Sequence, residues 1–359
     1  MSSELAQAKA PDTPTAVERL FYPQAPESWD RRLLLSPVTA LAWGYRLGVQ
    51  IRGSLYDANL LSAERVEGLR IVSVGNVNVG GTGKTPAVLH LAEMLIGAGK
   101  KVGILTRGYG RQSKEPLTFI GTDALPSVEE AGDEPLLLAR RCPQARLLVG
   151  SDRRALARRA RDEFGLDVVL LDDGFQHRRL ARDEDVVVVD EAVGFGNGQL
   201  LPRGPLREPL SALRRATLFW VRAATTPAPH IPPLPGPQVR TRYQPTAWVD
   251  PAGTQHPPQA LAGAPVLALA GLARPGSFLR TLRQLGADVR DSALFPDHHR
   301  FTPQELREVE TRAAGQGARV VTTEKDAVRL PPAFAAWKVR LGVEVLEGEA
   351  LLRRALGLS

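Results

Sequence analysis

Between Leu69 and about Ala223, short apolar runs alternate with stretches of helical composition. The runs are 71-IVSV-74, 102-VGIL-105, 146-RLLVG-150, 167-DVVLL-171, 185-DVVVVD-190 and 217-TLFWV-221. Continuous β-branched runs of this length read as strands buried on both faces, and alternation with helices predicts a parallel sheet covered on both sides. A second α/β pattern begins at 265-PVLALAG-271, continues through a helix to Gly286 and ends in 319-RVVTTEKDAVRL-330. The Pro-rich 227-PAPHIPPLPGP-237 between them predicts an irregular connection. Nearer the start the period changes. Arg32, Ser36, Thr39, Trp43, Arg46 and Gln50 recur at spacings of four and three, and Leu34, Val38, Leu41, Tyr45 and Gly48 do so on another face. That is an amphipathic helix. Its apolar part is too short to cross a bilayer, so it either lies in a membrane interface or packs on the core.

These patterns divide the chain into a disordered tail over 1–30, the amphipathic helix over 31–61, a first α/β domain over 62–225, a connecting region over 226–262 and a C-terminal α/β domain over 263–359. Hydrophobic content of 43% suffices for buried cores, and the single cysteine, Cys142, excludes an intrachain disulfide. No secretory apolar segment is visible in the first twenty residues. The formal net charge of +7 suggests an anionic partner. Abundant Arg, Ala, Gly and Pro point instead to a composition bias, and 6% aromatic content without basic–aromatic interleaving speaks against nucleic acid.

The chemistry starts at 71-IVSVGNVNVGGTGKTP-86. A strand runs into Gly80, Gly81 and Gly83, and Lys84-Thr85 opens a helix. Glycines let successive backbone N–H groups turn onto one anion, and a helix N-terminus adds partial positive charge. Asn78, Val79, Gly80, Gly81, Thr82, Gly83, Lys84 and Thr85 would cradle a triphosphate, with Lys84 on its terminal phosphates and Thr85 on Mg²⁺. Asn78 stands where the usual pattern has glycine; asparagine tolerates left-handed backbone, so the loop can still close. Val79 stands where switch ATPases of the partitioning type carry a second lysine.

Further along, 167-DVVLLDDGFQH-177 ends a hydrophobic strand in Asp172 and Asp173, a carboxylate placement suited to a nucleotide-bound metal. In 132-GDEP-135, Asp133 and Glu134 are either complements to a helix dipole or a base and a metal-shell carboxylate. In 295-FPDHHRFT-302, Asp297, His298 and His299 form either a surface turn or an orienting pair. Arg203 and Arg207, in 200-LLPRGPLREP-209, suit bidentate phosphate binding as well as a solvated loop.

Taken as an ordered set, GNVNVGGTGKTP, TRGYG at 106–110, GDEP, DDGFQH, LLPRGPLREP, GLARPGSF at 271–278, FPDHHRFT and TTEKDAVRL resemble the tetraacyldisaccharide 4′-kinase family, from the amphipathic segment to about residue 330. That family shares the asparagine at the first loop position. The resemblance implies a P-loop NTPase-type, mostly parallel sheet flanked by helices. It implies transfer of the ATP γ-phosphate, with Mg²⁺, to the 4′-hydroxyl of a tetraacylated glucosamine disaccharide 1-phosphate in lipid A biosynthesis. Asp133 would be the base, His298 its orienting partner and Lys84 the phosphate-binding lysine. Thr85, Glu134, Asp172 and Asp173 would serve the metal. The protein would be peripheral, its helix resting on the anionic cytoplasmic face of the inner membrane, with no nucleic acid as partner. The alternative is a P-loop switch ATPase of the partitioning or metal-insertion type.

Overall fold

The computed structural model describes residues 16–358 except 24, 26, 82, 225–230 and 273–274. The first half of the expected tail, Thr82 of the glycine loop, the start of the Pro-rich connection and the centre of GLARPGSF therefore lie outside the described residues. Within the rest of the tail, α1 (Ala16–Phe21) is helical. The helix expected over 31–61 is two helices, α2 (Trp29–Leu34) and α3 (Ser36–Asp57). The cause is Pro37: a proline ring inside a helix clashes with the carbonyl four residues back and removes an N–H, so it is accommodated in a first turn instead.

The first α/β unit runs β1 (Arg70–Gly75), α4 (Lys84–Gly97), β2 (Val102–Thr106), β3 (Leu117–Ile120), α5 (Val128–Ala131), α6 (Asp133–Arg141), β4 (Arg146–Val149), α7 (Arg153–Asp162), β5 (Val168–Asp172), β6 (Glu184–Asp190) and β7 (Leu218–Arg222). Apart from β3, an antiparallel edge on β4, these strands pair in parallel, as the apolar runs predict. Successive residues point to opposite faces. Val72, Val74 and Ile104 pack under α4 with Ala87, Leu91 and Leu95, whereas Ile71, Leu105 and Val169 face Leu156, Ala157 and Ala160 of α7.

The second unit runs β8 (Gln238–Val249), β9 (Gln255–His256), β10 (Pro265–Gly271), α8 (Pro275–Gln284), β11 (Asp288–Phe295), α9 (Pro303–Gly315), β12 (Arg319–Thr323), α10 (Glu324–Ala327), β13 (Trp337–Glu347) and α11 (Glu349–Ala355). Here the connecting region needs correction. Residues 238–249 are not irregular but form a strand of 12 residues. β8 pairs in parallel with β7 and antiparallel with β13, so both units share one sheet in the order β11-β10-β12-β13-β8-β7-β6-β1-β5-β2-β4-β3, with β9 on β8. Pro245 masks this strand in the sequence; it sits at a register irregularity opposite Leu341, a place where a ladder tolerates a missing N–H.

The α3 helix lies against this body through a few polar contacts. The Tyr45 hydroxyl donates to the Arg207 carbonyl at 3.0 Å, and Arg52 donates to the Gln176 carbonyl at 2.9 Å. Only Ala42 and Tyr56 of α3 are buried, while Leu41, Trp43, Leu47 and Ile51 are each more than half exposed. Its apolar residues thus face outward, not into the core.

Candidate functional site

Parallel pairing of β1 with β5 sets Val74 opposite Asp172, so the glycine loop and the two aspartates leave the sheet side by side at its carboxyl edge. The chain passes closely there: a Cβ on Gly75 would lie 2.6 Å from that of Phe175. The loop then closes into α4, with Lys84 the first helical residue after Gly83 at φ +84°. Asn78 does not use left-handed backbone; among the described non-glycine residues only Asn59, Asp173 and His298 have positive φ. Its buried side chain donates to the Gly194 carbonyl at 2.9 Å, while Val79 N–H donates to Pro205 at 2.8 Å. The 194–207 segment therefore braces the loop from behind, which is the use asparagine has at this position.

Lys84 Nζ lies 3.2 Å from Asn76 Oδ1 and 3.4 Å from Asp173 Oδ1. Asp173, at φ 50°, accepts a two-pronged hydrogen bond from Arg207, at 2.8 Å on each oxygen. Burial pushes the Asp173 carboxyl up, but Arg207 and Lys84 hold it well below the usual carboxylate range. Arg207 is thus a member of the site, a role the sequence left undecided. Arg203 is not: it pairs with Glu27 and donates to Thr39 at 3.2 Å, away from the loop.

The buried Asp172 accepts from Thr106 Oγ1 at 3.1 Å. Burial and the neighbouring Asp173 raise its pKa; burial and Asp172 together raise that of Glu134. Two carboxyls, Asp172 buried and Glu134 half-buried, whose neutral forms burial and a neighbouring carboxylate's charge favour against the nearby Lys84 are the oxygen donors a hard divalent cation takes. Among the described residues no three His, Cys, Asp or Glu side chains form a ready-made metal cage. Mg²⁺ usually relies on one or two carboxylates plus phosphate oxygens and water, so this donor set fits it. Asp173, with both oxygens on Arg207, anchors that arginine in this geometry.

The second unit approaches from the other side. His298 Nδ1 lies 2.8 Å from Asp133 Oδ2, across 165 residues of sequence. Asp133 opens α6, where its Oδ1 accepts the N–H of the adjacent Glu134 at 2.9 Å, and it is 3% exposed. Burial raises its pKa, but the hydrogen bond from His298 and the charges of His298, Lys325 and Arg329 leave it lowered overall. The His298 pKa is raised, chiefly by the same hydrogen bond, against burial and Lys325. Lys325 Nζ lies 3.3 Å from His298 Nε2 and 3.1 Å from Asp297 Oδ1. An ammonium only donates, so this contact suits a His298 whose proton sits on Nδ1 and points at Asp133. His299 turns away to Glu305 at 3.0 Å. Lys325 and Arg329 come from TTEKDAVRL, whose place in the ordered motif set was their only signal in the sequence.

A further contact joins the two units at the loop. The half-buried Tyr243 of β8 donates its hydroxyl to the Gly83 carbonyl at 2.7 Å and accepts from Trp220 Nε1 at 3.0 Å. A Cβ on Gly83 would lie 2.5 Å from the Tyr243 ring. Tyr243→Phe is expected to raise the KM for nucleotide about fivefold, as one buried hydrogen bond to the loop is lost, with acceptor KM unchanged. Steady-state kinetics on both substrates checks this; equal shifts in both KM values would contradict it.

A sequence profile described as tetraacyldisaccharide-1-P 4′-kinase matches residues 32–357. The chain is 46% identical to a tetraacyldisaccharide 4′-kinase of Anaeromyxobacter sp. (strain Fw109-5), over 95% of this chain and 96% of that one. It is 50% identical to the enzyme of that name from Anaeromyxobacter dehalogenans (strain 2CP-C), over 87% of each. The fold is similar to the crystal structure of LpxK from Aquifex aeolicus in complex with ATP, with a TM-score of 0.76 and 31% identity, covering 90% of this chain and 99% of that one.

Proposed function

The chain belongs to the tetraacyldisaccharide-1-phosphate 4′-kinase family, and from that membership we propose how its residues share the reaction. The enzyme transfers the γ-phosphate of ATP to the 4′-hydroxyl of tetraacyldisaccharide 1-phosphate, a step of lipid A biosynthesis. Membership also sets aside the switch-ATPase alternative, for which the loop lacks the second lysine. The observation that carries the assignment of roles is the 2.8 Å contact of His298 with Asp133 beside the glycine loop.

Phosphoryl transfer is governed by positioning and charge neutralisation more than by covalent chemistry. Residues 78–85 cradle the triphosphate. Lys84 leaves Asn76 and Asp173 for the terminal phosphates, and Arg207 stays on Asp173, holding the second aspartate in place. Thr85, Asp172 and Glu134 would hold Mg²⁺, with Asp173 beside them, and the ion would supply neutralisation of the phosphate charge. Asp133 accepts the proton of the 4′-hydroxyl as the oxygen attacks. His298 orients that carboxylate, and Lys325 holds His298. The acceptor enters the cleft between the two units, since Asp133 comes from one and His298 from the other.

The test is transfer itself. With detergent-dispersed tetraacyldisaccharide 1-phosphate, Mg²⁺ and γ-labelled ATP, label is expected in the lipid phase. Label recovered solely as free phosphate would overturn the assignment.

Among the described residues no helix is long and apolar enough to cross a membrane. The exposed Leu41, Trp43, Leu47 and Ile51 on α3, with Arg31, Arg32, Arg46 and Arg52 nearby, favour a helix lying in the interface of the cytoplasmic leaflet. Serine at both Trp43 and Leu47 is expected to lower co-sedimentation with phosphatidylglycerol vesicles at least tenfold, since each buried apolar side chain contributes about 1.5–3 kcal/mol. Nucleotide binding should not change. Undiminished vesicle binding would place the anchor elsewhere.

A further inference from the structure

The short α10 is where the second unit meets the first. Its Glu324 takes Arg141 of α6 at 2.7 Å, and its Lys325 reaches His298 at 3.3 Å. A third side chain of the same motif, Arg329, lies two residues past α10 and is 4% exposed. A guanidinium presents its N–H donors in a rigid fork. Nη2 is fixed within its own unit: it pairs with Asp326 and donates to the Gly271 carbonyl at 3.2 Å. Asp326 is fully buried, and it accepts the Gly271 N–H at 3.1 Å and the Thr323 hydroxyl at 2.7 Å. That arm of the fork therefore has no freedom. Nε and Nη1 are buried with no hydrogen-bond partner among the described residues. Nη1 faces the other unit, 3.9 Å from Asp133 Oδ2. Buried N–H donors left unmade are unfavourable, so the Asp133 charge is what keeps this arm in place.

The oxygen that Arg329 addresses is the one His298 already holds, at 2.8 Å. A carboxylate offers about four acceptor sites, shared equally between its oxygens. His298 and Arg329 lie on Oδ2, and the Glu134 N–H takes one site on Oδ1 at 2.9 Å. The second site on Oδ1 is left open. A shift of about 0.7 Å would bring Nη1 from 3.9 Å to hydrogen-bond distance of Oδ2 without touching the other oxygen.

We propose that Arg329 is a second positioning residue for Asp133: with His298 it closes Oδ2 from the C-terminal unit and so leaves Oδ1 to take the proton of the acceptor hydroxyl. This rests on the reading of Asp133 as the base, and deepens it by naming the receiving atom and by making the base complete only where both units meet. Asp326 belongs to the same device, since it anchors the arm of Arg329 that does not face Asp133. In the transfer step the hydroxyl O–H bond breaks as its oxygen bonds to phosphorus, and the proton passes to Asp133 Oδ1. ADP leaves with the electron pair of the broken P–O bond. Arg329 forms and breaks no bond and stays protonated throughout.

The test is a double-mutant cycle on the full chain with ATP, Mg²⁺ and tetraacyldisaccharide 1-phosphate. Arg329→Gln is expected to lower kcat about tenfold and to change the KM of either substrate less than about threefold, because a group acting through the base touches neither substrate. Arg329→Lys should recover part of the loss, since it keeps the charge without the fork. In the Asp133→Asn background no carboxylate is left to position, and there Arg329→Gln should change kcat less than about twofold. A residue that only holds the C-terminal unit together would slow both backgrounds by the same factor, and that outcome overturns the proposal. So does an unchanged kcat in Arg329→Gln, or a raised KM without a fall in kcat, which would put the guanidinium on a substrate. Arg329→Gln leaves Asp326 with the Thr323 hydroxyl and the Gly271 N–H alone, so thermal unfolding accompanies each variant. If Arg329→Gln does not fold, Arg329→Lys carries the same cycle, with the same loss of effect expected in Asp133→Asn. Failure of the base reading is told apart by Asp133→Asn alone: full turnover there defeats that reading and this proposal with it, whereas a slow Asp133→Asn slowed again by the same factor defeats this proposal only.

Discussion

Lys84→Ala is expected to lower the rate of lipid phosphorylation by about 10³-fold or more, the scale of losing a charged group aimed at the transferring phosphoryl. The geometry says why no neighbour replaces it. Lys84 begins α4, directly after the glycine loop, and its ammonium is within 3.4 Å of Asp173 and 3.2 Å of Asn76. The other cation at this spot, Arg207, is committed to Asp173 through both of its terminal nitrogens and cannot leave without uncovering that carboxylate. The variant should fold. Asp173 stays ionised without Lys84 because Arg207 remains, and the ammonium buries no apolar surface the core depends on. The measurement is single-turnover transfer from γ-labelled ATP, with acceptor binding followed in parallel. Acceptor affinity should change by less than about threefold, since the loss falls on the transition state and not on uniform binding. A variant retaining a tenth of the wild-type rate would remove Lys84 from the reaction centre.

The difference between Lys84 and Arg207 also shows where the sequence was legible. The glycine loop is a local device: strand, turn and helix N-terminus come from consecutive residues, so GGTGKT specifies its own geometry. The strands of the first unit were readable for a similar reason, since a parallel strand buried on both faces is a continuous apolar run. β8 failed that test. Its register alternates Val239 and Thr241 inward with Arg240 and Arg242, it contains Pro245, and it pairs on one side with the preceding β7 across the Pro-rich connection and on the other with β13, far along the chain. Nothing local marks it as the strand that fuses both units into one sheet. Arg207 and Lys325 were quoted within motifs but had no assignable partner, because each acts on a residue that only the tertiary fold brings near. The 31–61 helix shows a subtler limit. Its two faces are visible in the sequence, but which face meets solvent depends on the surface it rests on. That surface contacts it through Tyr45 and Arg52, leaving the leucines and Trp43 outside.

Asp133→Asn, which preserves shape while removing the acceptor of the proton, is expected to lower kcat by about 10²–10⁴-fold, the usual range for a positioned base, with ATP KM nearly unchanged. The carboxylate is buried, yet its pKa is lowered, because His298, Lys325 and Arg329 outweigh burial. It is therefore ionised at any working pH, and such a weak base takes the hydroxyl proton only late, as the bond to phosphorus forms. His298→Asn should cost less, about tenfold, since His298 acts through Asp133. The two are separable by pH. Protonated His298 pairs with Asp133 as an ion pair and makes it a poorer base, whereas neutral His298 donates a single hydrogen bond and leaves the carboxylate more basic. The His298 pKa is raised above its ordinary value of 6.5. In the wild type kcat/KM should accordingly climb with pH through an inflection above 6.5, and in His298→Asn that inflection should vanish while a reduced rate remains. Removing the Asp133 charge leaves Lys325 and Arg329 beside His298 with Asp297 and Asp326 as their remaining carboxylate partners, so a thermal unfolding curve must accompany the kinetics; a folded protein with kcat reduced and ATP binding intact is the expected combination. Full turnover in Asp133→Asn, or an unaltered pH inflection in His298→Asn, would mean that the 2.8 Å pair joins the two units without touching the proton.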